Sequence, residues 1–225
     1  MSTPSPHCAL CGIALGERLC RDSEGKSPAF CPTQNFSEIK EENSALYEGE
    51  TKRFAKNAAI QEASCYEGRE QGYAHLRPAK PRIEEIIEFA QKMGYQKLGL
   101  AFCMGLRNEA KAVELLLQKR GFEVVSVICK VGNSDKSTLG IDEEDKLIPH
   151  TPEAMCDPLL QARLLNESQT DFNIMLGLCV GHDSLFLKAS EALCTVFAVK
   201  DRLLGHNPLA AIYTLESYYR SLKEG

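Results

Sequence analysis

The chain has 225 residues, ten of them cysteine, with 44% hydrophobic residues and a formal net charge of −5. That length buries one substantial core, or a medium core with a small appended module. The mildly acidic balance and the lack of any basic block leave no concentrated cationic footprint for a nucleic-acid partner, and the longest apolar runs, at 172–180 and 193–199, are far too short to span a bilayer.

No charged-then-apolar leader stands near the N-terminus. The expectation is therefore a soluble cytoplasmic protein whose thiols stay reduced, with neither nucleic acid nor membrane as partner. Ten cysteines in such a chain point to thiolate ligation or redox chemistry rather than to a disulfide framework. The competing reading is that a free cysteine is a small buried apolar residue, and it has to be weighed position by position.

Residues 1–37 are rich in Cys, Gly, Pro and Ser and show little apolar periodicity, so they read as a Cys-rich metal-binding module. Residues 38–82 form a helical segment and linker. Phe54, Ala58, Gln61 and Cys65 fall at helical spacing and predict a helix around 51–67, and Arg-Pro-Ala-Lys-Pro-Arg at 77–82 punctuates the chain.

From residue 83 to 225 helix and strand alternate. Ile83, Ile86, Ile87 and Ala90 make one apolar helix face stopped by Gly94, followed by a strand at 97–103. A helix over 108–120 stops at Gly121, and a β-branched strand follows at 123–129. Residues 131–150 form a polar loop long enough to suggest a lid or binding loop. Asp157 and Pro158 open a helix, 172–179 is a third strand, Asp183 caps a short helix, and 195–200 is a fourth strand. Asn207 and Pro208 open a last helix with Ile212, Leu215, Tyr219 and Leu222 inward. Alternation of this kind implies right-handed βαβ units. The expected fold is α/β, a doubly wound, mostly parallel four-stranded sheet of flavodoxin or Rossmann type with strand order 2-1-3-4.

Ligands of such sheets bind beyond the carboxyl ends of the strands, and this sorts the cysteines. Cys103, Cys129 and Cys179 end the first three strands, and Cys156 precedes the Asp157 cap on the same edge. Four thiols on one rim suit an iron–sulfur cluster or zinc. Cys194, ahead of the fourth strand, and Cys65, on an apolar helix face, read as structural. The same rim gathers His182, Lys200, Arg202, Arg107 and His206. His182 reads equally as a ligand, a partner of a ligand, an acid/base or an ordinary loop histidine. Lys200, Arg202 and Arg107 suit an anionic substrate or a negatively charged cluster, or form a solvated rim. Asp183 and Asn207 read as helix caps.

Near the N-terminus the spacing Cys8-x2-Cys11-x8-Cys20-x10-Cys31 suits a tetrahedral four-cysteine site, with His7 able to replace one thiol. This signal does not separate zinc from a second iron–sulfur cluster. The sequence carries no Gly-rich nucleotide fingerprint, Walker loop, His-Glu-x-x-His helix or nucleophile elbow.

The runs CALC, FCP, RIEEIIEFAQKMGYQKLGLAFCMGLRNEA, FEVVSVICK, MCDP, LGLCVGHDSLF and VKDRLLGHNPLAAIY span nearly the whole chain. Through them it resembles an uncharacterised family of metal-binding proteins, domain of unknown function 1847, typical of anaerobic bacteria and archaea. The resemblance implies metal binding, and an oxygen-poor habitat favours an iron–sulfur cluster of 4Fe-4S type at the rim. The expected function is a cysteine-ligated metal- or iron–sulfur-binding protein in redox, sensing or cluster-handling work, with a redox or metal-delivery partner protein. Two alternatives stand beside it: a metalloenzyme acting on a small anionic substrate with His182, Lys200 and Arg202, and a protein holding only structural zinc.

Overall fold

The computed structural model describes residues 4–224. The chain divides into two compact units, Met1–Ala59 and Ile60–Gly225. The first carries the short helices α1 (Pro32–Asn35) and α2 (Ser37–Ser44), and α3 (Gly49–Ser64) runs across the division. The second opens on a small antiparallel pair, β1 (Tyr66–Glu67) with β2 (Arg77–Pro78). The stretch expected as a linker is thus partly paired strand.

The rest of the second unit is β3 (Lys97–Phe102), β4 (Glu123–Ile128), β5 (Phe172–Leu176) and β6 (Cys194–Ala198). They alternate with α4 (Arg82–Met93, ahead of β3), α5 (Arg107–Lys119), α6 (Pro158–Glu167) and α7 (His182–Ala189), and α8 (Leu209–Tyr213) follows the sheet. All pairings in this sheet are parallel and the order is β4-β3-β5-β6. Counted within the sheet, that is the 2-1-3-4 order expected from the sequence. No described helix is long and apolar enough to cross a membrane.

Period-two alternation along the buried strands assigns the two faces. Leu98 and Leu100 of β3 and Phe172, Ile174 and Leu176 of β5 share one face, where Phe89 of α4 meets Phe172 with ring centroids 5.6 Å apart. Ala101, Val127, Cys129 and Met175 face the other way and pack with Ala162 and Leu165 of α6 and Phe186 of α7. Gly99 stands on this second face because a Cβ there would collide with Asn173 Oδ1 and Leu165. Asn173 is fully buried and satisfied, accepting from the Thr170 hydroxyl at 2.8 Å and donating to Ser190 Oγ at 2.8 Å.

Local rules explain the ends. Gly94 at φ 71° closes α4, donating to the Ala90 and Gln91 carbonyls. Asp157 caps α6 through its carboxylate, which accepts from Leu160 N at 2.8 Å. Two expected caps differ. Gly181 precedes α7, while Asp183 lies inside its first turn and accepts from Gly181 N and Ser184 N. Asn207 offers α8 its carbonyl rather than its side chain.

The expected inward-facing final helix is corrected. α8 ends at Tyr213, and Ile212 and Leu222 are exposed. Thr214 Oγ1 bonds back to Ala210 O at 2.7 Å, and the chain continues as turns from Thr214. A hydroxyl competing locally for helix carbonyls has this effect.

Candidate metal centre

Two connections deliver three thiols to one place beyond the carboxyl ends of β3 and β4. Cys103 follows β3, its amide bonded to Leu176 O of β5 at 3.1 Å. Cys129 follows β4, its amide bonded to Phe102 O at 2.9 Å, and its carbonyl accepts from Asp157 N at 2.8 Å. Cys156 therefore lies beside Cys129 although residues 130–155 separate them in sequence. Asp135 and Ala154 bridge this excursion, and Lys136 N to Glu153 O, at 2.9 Å, ties it further. The expected polar loop is thus a folded excursion with two short 3₁₀ turns, Lys136–Leu139 and Glu143–Asp145.

Cys129 is the central thiol, buried and interacting with both Cys103 and Cys156. Interaction with these two thiols, and burial, push the Cys129 thiol far up. The same interaction holds Cys103 down at about 5, helped by the Gly105 amide and the Lys200 ammonium. Cys156 is held at about 6, first by Cys129 and then by the charges of Lys130 and His182. The Met104 amide donates to Cys129 Sγ at 3.3 Å. Gly105 matters sterically as well, since a Cβ there would stand 3.2 Å from Lys200 Nζ.

Cys179, the fourth rim cysteine of the sequence reading, has a different neighbour. Arg202 Nη2 donates to its Sγ at 3.1 Å, while the Cys179 carbonyl accepts from Asp183 N as α7 begins. Of the expected cations, Lys200 faces Cys103, Arg202 faces Cys179 and His182 faces Cys156. Arg107 opens α5 at an exposed position. His206 completes a turn, Nδ1 accepting from Asp201 N at 3.2 Å.

Two contributors were missed. Lys130 donates to Ala154 O and lends charge to Cys156; its position directly after Cys129 was the available signal. Gln161 is fully buried on α6, and its Nε2 donates to Val127 O at 2.7 Å and Phe102 O at 3.3 Å, pinning the strand ends that carry Cys129 and Cys103. A glutamine at a core-facing position among Pro158, Ala162 and Leu165 was its signal.

Cys65 and Cys194 behave as structural residues. Burial pushes both thiols up. Cys65 donates to Gln61 O at 3.0 Å, and Cys194 opens β6, the opposite end of the sheet, donating to Ala192 O at 3.4 Å.

In the first unit Cys8, Cys11, Cys20 and Cys31 line a single cavity. Backbone amides of Gln34 and Thr33 hold the Cys31 thiol below its ordinary range. His7 meets Phe30 edge-on, centroids 6.1 Å apart. All ten cysteines are free. Among the described residues, no three His, Cys, Asp or Glu side chains already stand at a spacing that could hold a metal ion. The donor chemistry of both sets nevertheless suits a thiophilic metal.

The rim titrations give a direct expectation for metal-free protein. A lowered pKa keeps thiolate present as pH falls, so alkylation of Cys103 by iodoacetamide should inflect near pH 5 and that of Cys156 near pH 6. Cys65 and Cys194 should inflect above the ordinary thiol range. Mass-spectrometric rates at each site between pH 4 and pH 10 read this out, and a common inflection for all four would contradict it.

Residues 31–197 match the model of a family described as protein of unknown function, DUF1847. The chain belongs to this family. The matched stretch takes in Cys31 and all four rim cysteines and leaves Cys8, Cys11 and Cys20 outside. An uncharacterized protein of Methanocaldococcus jannaschii is 52% identical over 146 residues, covering 65% of this chain and 73% of that protein. Among solved structures, Dph2 from Pyrococcus horikoshii aligns with a TM-score of 0.36 and 14% identity over 64% of this chain. The aligned part spans only 33% of the Dph2 chain.

Proposed function

We propose that this DUF1847 protein holds an iron–sulfur cluster, of 4Fe-4S type, at the rim of its sheet and works in electron transfer, redox sensing or cluster handling. The observation that carries the proposal is the interaction of Cys129 with both Cys103 and Cys156, thiols brought to one carboxyl edge by the connections that follow β3 and β4. Cys103, Cys129 and Cys156 would hold the cluster, with Cys179 as fourth ligand on release from Arg202. When bound, such a group supplies one-electron chemistry or a Lewis-acidic iron. The protein's part is to hold the thiolates and neutralise their charge. Lys200, Lys130 and His182 already act on these sulfurs, and Arg202 acts on Cys179. A redox or metal-delivery protein is the partner class that this role implies.

The ring of cations supports a second reading, a metalloenzyme. His182, Lys200 and Arg202 would then bind a small anionic substrate beside the metal, with Cys179 remaining on Arg202 and one coordination position open.

Purification and reconstitution without oxygen, followed by visible absorption and metal analysis, tests the proposal. Brown protein with broad absorption toward the blue, bleached by dithionite, is expected. Colourless protein with stoichiometric zinc at the rim would sink the iron–sulfur assignment. Spectral perturbation by small anions, lost in Arg202→Ala, would favour the enzyme.

A further inference from the structure

The first compact unit has an energetic problem. Of its described residues, none is buried. A unit of this size without a core lacks the apolar burial that normally offsets chain entropy, and small modules of this kind need a covalent or metal staple. No disulfide supplies one, because every cysteine is free.

The backbone nonetheless brings four thiols around one cavity. Leu10 N bonds to His7 O at 2.9 Å and Cys11 N to Cys8 O at 3.2 Å, curling the Cys8–Cys11 knuckle. Arg18 donates to Ile13 O at 2.7 Å and Cys11 O at 2.9 Å, fastening the knuckle to the Leu15–Glu17 turn. Leu19 N to Lys26 O and Lys26 N to Glu17 O, at 2.9 and 2.7 Å, form a parallel bridge that closes the loop carrying Cys20. Cys31 stands immediately before α1. Arg18 and Lys26 line the same cavity as the thiols. A divalent ion held by four thiolates retains net negative charge, and Arg18 is placed to offset it, while Lys26 is paired with Glu17 at 3.2 Å.

We infer that Cys8, Cys11, Cys20 and Cys31 form a structural site for one divalent ion of the zinc class, and that this ion staples the first unit. The site uses none of the rim cysteines and stands whether or not the rim holds a cluster. Zinc suits it because a closed four-thiolate site adds folding free energy without redox chemistry.

Elemental analysis of the full chain and titration of the metal-free full chain with Co²⁺ alone test the inference. One zinc per chain, and a tetrahedral thiolate–cobalt spectrum, should be lost in Cys11→Ser and in Cys20→Ser and kept in Cys129→Ser. Chelation of the unmutated protein provides a readout independent of variant folding: proteolysis within residues 1–59 should accelerate about tenfold or more, while residues 60–225 persist. Retention of zinc and the cobalt spectrum in Cys11→Ser and Cys20→Ser would overturn the site. Unchanged proteolysis after verified metal removal would overturn the stapling. Loss of iron–sulfur absorption, rather than zinc, from those two variants would overturn the choice of ion. Failure of the rim reading is separable, because it would show as iron content indifferent to Cys129→Ser.

Discussion

Cys129→Ser should reduce metal bound at the rim about tenfold or more, whereas Cys194→Ser should leave it unchanged. Loss of supporting groups around metal ligands already costs ten- to a hundredfold, and Cys129 is the thiol interacting with both of its neighbours. Serine matches the thiol in shape, so the sheet should stay folded. What disappears is the soft sulfur donor between Cys103 and Cys156. Cys194 is a stringent control because it is also partly enclosed and packs against the same core, yet it opens β6 at the far end of the sheet. Both substitutions are best made in a Cys11→Ser, Cys20→Ser background, so that metal in the first unit does not mask the result. Equal iron content in the Cys129→Ser and unmutated proteins would remove the trio from consideration as a binding site.

Gly177→Ala should destabilise the second unit by about 2–5 kcal/mol, summing the usual costs of left-handed backbone and overpacking. Gly177 follows β5 at φ 67°, where an L side chain is strained. A Cβ there would also overlap the buried Leu106 Cδ1. Leu106 belongs to the turn after Cys103, and Gly177 lies two residues before Cys179. The connections after β3 and β5 therefore interlock at this contact. A loss of this size is a large fraction of the 5–15 kcal/mol typical of a domain, and a denaturant midpoint of the full chain would show it. A change under about 0.5 kcal/mol, the usual effect of an ordinary surface substitution, would mean the contact contributes nothing to stability.

The elements were legible because their determinants are local and repetitive: apolar strand runs, helix stops such as Gly94 and caps such as Asp157; the strand order came instead from the topology usual for doubly wound sheets. Placement of Cys103, Cys129 and Cys156 followed from the same rule, since strand ends inherit their position from the sheet. Side-chain partnerships were not legible. The Arg202–Cys179 contact depends on a long side chain reaching between two separate turns. Gln161 was hidden because a polar residue in an apolar helix face looks like an interruption until the strand-end carbonyls it serves are known. The final helix failed for a related reason. Ile212, Leu215, Tyr219 and Leu222 have helical spacing, but spacing supplies no surface to pack against, and Thr214 closes the helix on itself.

The excursion from Lys130 to Met155 leaves and returns at adjacent points, with Cys129 at one stem and Cys156 just past the other. Its stem is clasped by Lys130 to Ala154 O, Met155 N to Ser134 O and the Lys136–Glu153 ion pair at 3.0 Å. Closing entropy grows only logarithmically with loop length, about 0.6 kcal/mol for each doubling. The tip beyond that clasp is therefore the place where the chain can gain or lose sequence at little thermodynamic expense, and where a reporter peptide could be spliced in while the two cysteines at its base keep their separation.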